Sequence, residues 1–326
     1  MEQKSKLPNS EILLVYQAKM CNPNGDPDDE NKPRMDPKTN TNLVSDVRLK
    51  RYFRDYIIRR FGEKHVWASK VDGKNVSSDE RIEKLGIEAE DVPTNCIDAR
   101  LFGATVPIRA KSKTRKQATP AEEDSASKKG KAVAFTGPVQ FSWGFSLHPV
   151  DLVDSSTITS LFVGRESKGE EAYGTMGKDW RLYYSLIAFY GIVSGRRAAG
   201  TGMSEDDLKL LDNCLWKALQ VEPTTRSKIG ESPLLYLRVE YADADTILGD
   251  FRACLSVQPK SPVRKLEDVE INFAGLIEKL NNKREKIARM YLYSELPDLT
   301  QALAKSFGNK LVFLPHPLDE TKILQS

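Results

Sequence analysis

The sequence is poor in the residues that build covalent or metal-centred chemistry. Its four cysteines, Cys21, Cys96, Cys214 and Cys254, are scattered, form no CxxC pair and supply no disulfide framework. It has three histidines, none spaced as a ligand pair, which argues against a structural zinc site. No apolar run reaches the roughly 18 residues that a membrane span requires, and the polar opening MEQKSKLPNS reads as no signal peptide. A reducing cytoplasm is the expected compartment. The glycine-bearing stretch GRRAAGTG (195–202) lacks the GK[ST] of a phosphate loop, so nucleotide hydrolysis is not expected. No internal repeat, heptad run or low-complexity tract is visible.

What is present is a core-forming chain of 326 residues, 40% apolar and 29% charged, long enough for one large domain or two modest ones. The net charge of +3 hides an uneven distribution. Residues 48–60 (RLKRYFRDYIIRR) and 109–131 each carry a net +5, which leaves the remainder at −7. Local positive charge on a near-neutral body suits a polyanion, because each neutralised phosphate releases counterions.

Periodicity orders the chain. Ile12–Tyr16 reads as a buried strand, followed by the proline- and asparagine-rich loop CNPNGDPDDENKPRMDPKTN (21–40), whose composition forbids regular structure. A helix is expected from 43 to 61, with Leu49, Phe53, Tyr56 and Ile57 on one arc and Lys50, Arg51 and Arg54 nearly opposite. Residues 63–98 read as an irregular connector with a short helix near 79–85. The strict alternation of PVQFSWGFSLHPV predicts one strand, with Val139, Phe141, Trp143, Phe145 and Leu147 sharing a core face. Four glycines in 164–178 suit a hairpin arm, and 183–193 reads as a strand. Ser204, with Asp207 three residues on, predicts the start of a helix to about Leu219. A strand over 234–241 follows, and then two helices, near 284–293 and 297–307, and a short strand at 311–314.

Without the insertions, this order is βαββαβ, an α+β, ferredoxin-like plan shared with RNA-recognition (RRM-like) modules. The expected organisation is a palm over 1–241, interrupted by a loop (21–42), a finger region (62–137) and a thumb hairpin (164–178). A helical extension, 242–326, would pack on the palm. No aromatic RNA-stacking pattern is evident on the sheet, so insertions and the basic helix would have to carry any RNA contact.

Six segments add a resemblance: CNPNGDP (21–27), LVSDVRLKRYFRDY (43–56), ARLFGA (99–104), GPVQFSWGFSLHPV (137–150), TMGKDW (175–180) and TRSKIG (225–230). Together they resemble the Cascade backbone subunit of type I CRISPR systems, the seventh Cas family of the RAMP superfamily, in its subtype I-B branch. The match runs in order through most of 12–241. It implies a non-enzymatic protein of antiviral defence that binds guide RNA (crRNA), needs no cofactor, and polymerises head to tail into an open helical filament. The implied partners are the crRNA, target DNA through the guide, further copies of the chain, and the guide-end cap, large and small Cascade subunits. No membrane partner is implied.

On this reading Ser45, Lys50, Arg51 and Arg54 are the leading RNA contacts, at a helix N-terminus and along its basic stripe. Asn22 and Asn24 either hold the RNA edge or close an Asx-type turn. In the thumb, Met176 would wedge between bases or pack the hairpin base, with Arg165 and Lys178 near phosphates. Arg196 with Arg197, and Arg226 with Lys228, are expected phosphate contacts. The residues offer no catalytic group and no metal site as the first reading. The rivals are a metal-dependent ribonuclease using Asp26, Asp28, Asp29, Glu30 and Asp36, and an RNA-independent filament protein. His148 reads as structural, and Trp143 as core.

Overall fold

The computed structural model describes residues 7–71, 73–108, 131–154, 156–159, 176–260 and 262–325. In chain order the principal elements are β1 (Ser10–Cys21), α1 (Asp46–Phe61), β2 (Val139–Phe141), β3 (Gly144–Ser146), β4 (Leu182–Val193), α2 (Glu205–Val221), β5 (Glu231–Tyr241), β6 (Ile287–Ser294), α3 (Pro297–Phe307) and β7 (Leu311–Phe313). Shorter pieces are named by their residues.

Strand β1 is covered on both faces, which is why its sequence is an almost unbroken apolar run. Ile12, Leu14, Tyr16 and Ala18 enter one core, and Leu13 and Val15 the other. The sheet runs β7-β6-β5-β1-β4-β3, then Thr41–Val44 and Met35–Asp36, with β2 also paired to β4. The ladders that join β1 to β4 and β5 are antiparallel, and among the described residues only the β6–β7 pair is parallel. The fold is thus mixed α and β around one central sheet. Between Val15 and Tyr16 the β1–β5 register slips by one, leaving Leu234 of β5 without a partner. Leu234 and Leu235 consequently enter the same core, against the alternation.

One sheet face is roofed by α1 and α2. Ser45 caps α1, its hydroxyl accepting the Arg48 amide at 3.3 Å. The stripe Leu49, Phe53, Tyr56, Ile57 is buried as its spacing requires. Fully burying each of the larger apolar members stabilises the fold by roughly 1.5–3 kcal/mol. Ser204 and Asp207 close a capping box on α2. The other face is roofed by the helix Ala274–Asn281 and by α3 through Leu276, Leu280, Leu299, Leu303 and Phe307. A small satellite core of Ala89, Val92, Cys96, Ala99 and Val106 holds the region after α1 together.

Three expectations about elements are corrected. The segment 284–293 is not a helix: Ile287–Ser294 pairs with β5 as a strand. Ile287, Met290 and Tyr291 fit a helical spacing, but the open edge of β5 offers a ladder and burial on both faces. The alternating run 139–147 is two strands, broken at Ser142–Trp143, and the break switches the phase. Gly144 and Ser146 turn inward while Trp143 is left 48% exposed, so Trp143 is not core. The loop 21–40 is not wholly irregular either, since Gly25–Asp26 pairs with Lys32–Pro33 and Met35–Asp36 with Thr41 and Asn42.

Candidate nucleic-acid interface

The antiparallel register gathers several segments at one end of the sheet. Cys21, the last residue of β1, lies opposite Leu182, the first of β4, and Ala18 lies opposite Glu231, the first of β5. The start of α1 joins them through the loop. Asn24 Oδ1 accepts from the Ser45 N–H at 2.8 Å and from its hydroxyl at 2.9 Å. Asn22 donates its amide N–H to Ser227 O at 2.8 Å and its Nδ2 to Asn31 O at 2.7 Å. The Lys228 ammonium donates to the carbonyls of Asn22 and, at 3.0 Å, Pro23. Asn22 with Lys228 and Asn24 with Ser45 thus form two bonded pairs, joined along the loop through Pro23. The two asparagines anchor the turn.

Cations surround this set. Arg226 is largely exposed and reaches Asp179 at 3.1 Å. Arg181 holds the same carboxylate at 2.9 Å and donates to Met20 O and Arg226 O. Exposed Lys178 and partly exposed Lys32 stand 5.8 and 4.8 Å from the centre of the Trp180 ring. Among the described residues the Trp180 indole N–H has no partner. Arg34 pairs with Asp26 and lies 5.9 Å from the Trp143 ring centre. Lys32, Arg34, Trp180 and Arg181 escaped the sequence reading. The signal was available in KDWR, where two cations flank an aromatic and a carboxylate, and in the two cations inside the acidic loop.

Beneath the surface lies a buried polar cluster. Glu231 Oε2 accepts the Tyr52 hydroxyl at 2.6 Å, and the Arg48 guanidinium stacks 3.9 Å from the Tyr52 ring centre. Among the described residues Glu231 Oε1, Tyr16 OH, Arg48 Nε and Asn22 Oδ1 have no hydrogen-bond partner. Burial pushes the Glu231 carboxyl up to about 7, against the lowering pull of Tyr52, Lys228 and Arg48. Burial, with repulsion from Arg48, brings the Lys228 ammonium down to about 8. Burial raises the Cys21 thiol to about 12 and raises both tyrosines.

The open cationic stripe expected on α1 is not there. Lys50 bonds Asp46 at 2.9 Å with its side chain 10% exposed, and Arg54 bonds Asp98 at 2.8 Å with 14% exposed. The reason is tertiary: the helix Ile97–Phe102 packs across that arc. Its Asp98, itself buried, also accepts the amides of Trp67 and Ala68. Lys50 and Arg54 are therefore withdrawn as contacts. Arg51 keeps 43% exposure and pairs with Asp55.

Arg196 and Arg197 lie in a helix, Gly195–Thr201, rather than a loop. They sit at the opposite end of the sheet, where Ser10 faces Val193. The twelve residues of β1 separate the two ends by about 36–40 Å. Arg196 pairs there with Asp245. Arg165 lies outside the described residues, as does most of the 164–178 arm. Of Met176 only the backbone is described, in a ladder of Met176–Lys178 with Thr157–Thr159. In the acidic loop Asp26 pairs with Arg34, Asp29 with Lys32, and Asp36 with Thr39. Among the described residues no three His, Cys, Asp or Glu side chains gather as a metal ion would need. No helix of the described residues is long and apolar enough to cross a membrane. His148 is buried, with Nε2 accepting the Leu186 amide.

A family model for CRISPR-associated protein Cas7 matches residues 8–274. The CRISPR-associated protein Cas7 of Haloferax volcanii is 31% identical over 303 residues, which span 89% of this chain and 87% of that protein. Among solved structures, a chain of a CRISPR RNA-guided surveillance complex, pre-nicking, aligns with 92% of this chain and 100% of its own, at 13% identity and a TM-score of 0.49. A chain of another CRISPR RNA-guided surveillance complex aligns with 91% and 98%, at 14% identity and a TM-score of 0.45.

Proposed function

The chain belongs to the CRISPR-associated Cas7 family, and from that premise we propose that it is the guide-RNA-binding backbone subunit of a type I surveillance complex. It acts in the cytoplasm, in antiviral defence, by holding RNA rather than by catalysis. Copies assemble head to tail along the crRNA, meet the cap, large and small subunits, and present the guide for pairing with target DNA. The strand order β5-β1-β4-β2/β3, with α1 and α2 on one face, supports reading the centre as a ferredoxin-like palm. Residues 62–137 would be the fingers, 164–178 the thumb, and 242–326 a mixed extension that adds β6 and β7 to the palm.

The observation that carries the site is the convergence of exposed Arg226 and Lys178 on the anchored Asn22–Ser45 loop. These two cations contact phosphate, with Arg51 at the margin. Asn22, Asn24, Ser45 and Lys228 set the loop's shape, and Trp180 offers an aromatic edge beside the backbone path. Met176 and Arg165 belong to the thumb's grip on the bases. Such contacts read phosphate and not sequence, so affinity falls steeply with salt.

The test is direct. Protein purified at low salt should carry RNA, seen as a raised 260/280 nm absorbance ratio that high salt lowers. The Lys178→Ala/Arg226→Ala double variant should fold normally and lose that RNA. Retention of RNA by the double variant removes the site. Labelled RNA incubated with the protein and Mg²⁺ should stay intact, and its cleavage would favour the ribonuclease alternative.

A further inference from the structure

Glu231 is 7% exposed and stands at the start of β5, directly below the loop that carries Asn22 and Asn24. One carboxylate oxygen takes the Tyr52 hydroxyl, and the other has no partner among the described residues. The groups that face this cluster come from every neighbouring element. β1 contributes Tyr16 and Cys21, α1 contributes Arg48 and Tyr52, and the segment before β4 contributes Arg181, which acts on Cys21. The turn before β5 contributes Lys228. Half-buried Lys228 in turn holds the loop by the carbonyls of Asn22 and Pro23, and its own carbonyl accepts the Glu231 amide at 3.2 Å, so the buried acid and the loop are mechanically one unit.

A buried carboxylate with an oxygen lacking a donor is poorly stabilised as an anion. A polyphosphate laid over the same end adds negative potential and disfavours the anion further, while it favours the ammonium of Lys228. Both effects have the same sign: the ligand and protons bind together. We propose that Glu231 is a positioning residue of the RNA interface, and that RNA binding there draws a proton from solvent onto the Lys228–Glu231 pair. This rests on the reading of that end as the RNA site. Glu231 touches no RNA in this scheme. It acts through Tyr52 and Lys228 on the placement of the loop.

The experiment uses protein freed of nucleic acid by high salt and a labelled single-stranded RNA, titrated by fluorescence anisotropy from pH 6 to 8.5 at fixed ionic strength. Wild-type affinity should weaken as pH rises, by up to about tenfold per pH unit for one proton taken up. Glu231→Gln, which keeps an acceptor for Tyr52, should flatten most of that slope. Glu231→Ala should weaken binding at every pH. Calorimetry of the wild type in two buffers of different ionisation enthalpy counts the protons without any variant, and should give a fractional uptake near pH 7. Identical pH profiles for wild type and Glu231→Gln, or zero proton uptake, overturn the proposal and leave the RNA site standing. Absence of RNA binding at every pH overturns the RNA reading, and this proposal with it.

Discussion

The two ends of the central sheet each bury a glutamate, and they treat it differently. At the far end Glu11, fully buried, accepts four hydrogen bonds. They come from the hydroxyls of Tyr190 and Tyr241 and the amides of Leu248, at 2.6 Å, and Gly249, at 2.8 Å. At the near end Glu231 accepts one, from Tyr52. Glu11 ties β1, β4, β5 and the 248–249 turn into a fixed corner, as a saturated carboxylate can. Glu231 sits among cations and, among the described residues, keeps an oxygen without a donor, in the cluster that carries the candidate RNA loop. Saturation marks the far end, and incompleteness the end proposed to hold RNA.

The comparison can be broken most violently at Glu11. Glu11→Ala would strand two tyrosine hydroxyls and two amides in the interior, and should cost about 3–5 kcal/mol in urea unfolding. A loss below about 1 kcal/mol would mean that the corner is not what holds that end. Next in size is the near end's surface. Lys178→Ala/Arg226→Ala should weaken RNA binding about tenfold or more and shallow the salt slope by about 1.4, near 0.7 per lost single-strand phosphate contact. Unchanged slope would mean that neither side chain meets a phosphate.

A subtler contrast is in the pH dependence of stability. The Glu231 carboxyl is raised in the fold, from 4.5 to about 7, so the folded state prefers it protonated. That preference is complete below about 4.5 and is lost as pH rises to about 7. Relative to Glu231→Gln, the wild-type urea midpoint should therefore fall across that window and level off above it. Parallel curves would remove Glu231 as a titrating group. The smallest effect is expected from Arg196→Ala/Arg197→Ala at the far end. RNA content should be unchanged and stability should shift by no more than about 0.5 kcal/mol. A loss of RNA there would erase the distinction between the two ends.

Much of the framework was legible in local pattern. β1, β4, β5 and α2 follow from runs, caps and periods that the chain carries within ten to twenty residues. The apolar stripe of α1 was legible for the same reason. Its polar arc was not, because whether Lys50 and Arg54 meet water depends on Ile97–Phe102, some fifty residues away. The break at Ser142–Trp143 hid behind perfect alternation, since nothing local records a strand that changes phase. Ile287–Ser294 fitted a helix and a strand equally, and the free edge of β5 decided between them. In the site, the flagged residues Asn22, Asn24, Ser45, Arg226 and Lys228 fell together at one end, whereas Arg196 and Arg197 lie at the other. Glu231 drew no notice, because a lone acid at a strand start looks like a solvated one until its neighbours are placed.

The unpaired Leu234 sets which way that acid points. Side chains alternate along β5, so the one-residue slip turns Glu231 toward α1 and Tyr52; without it, Glu231 would project through the opposite side of the sheet. Suppressing the slip at an unchanged residue count would thus swing the acid out of the cluster, whereas deleting Leu234 itself would leave Glu231 opposite Ala18 and on the same side. What holds the acid in place is its register against Ala18, and a strand of the same length with the slip ironed out would forecast an RNA grip indifferent to acidity.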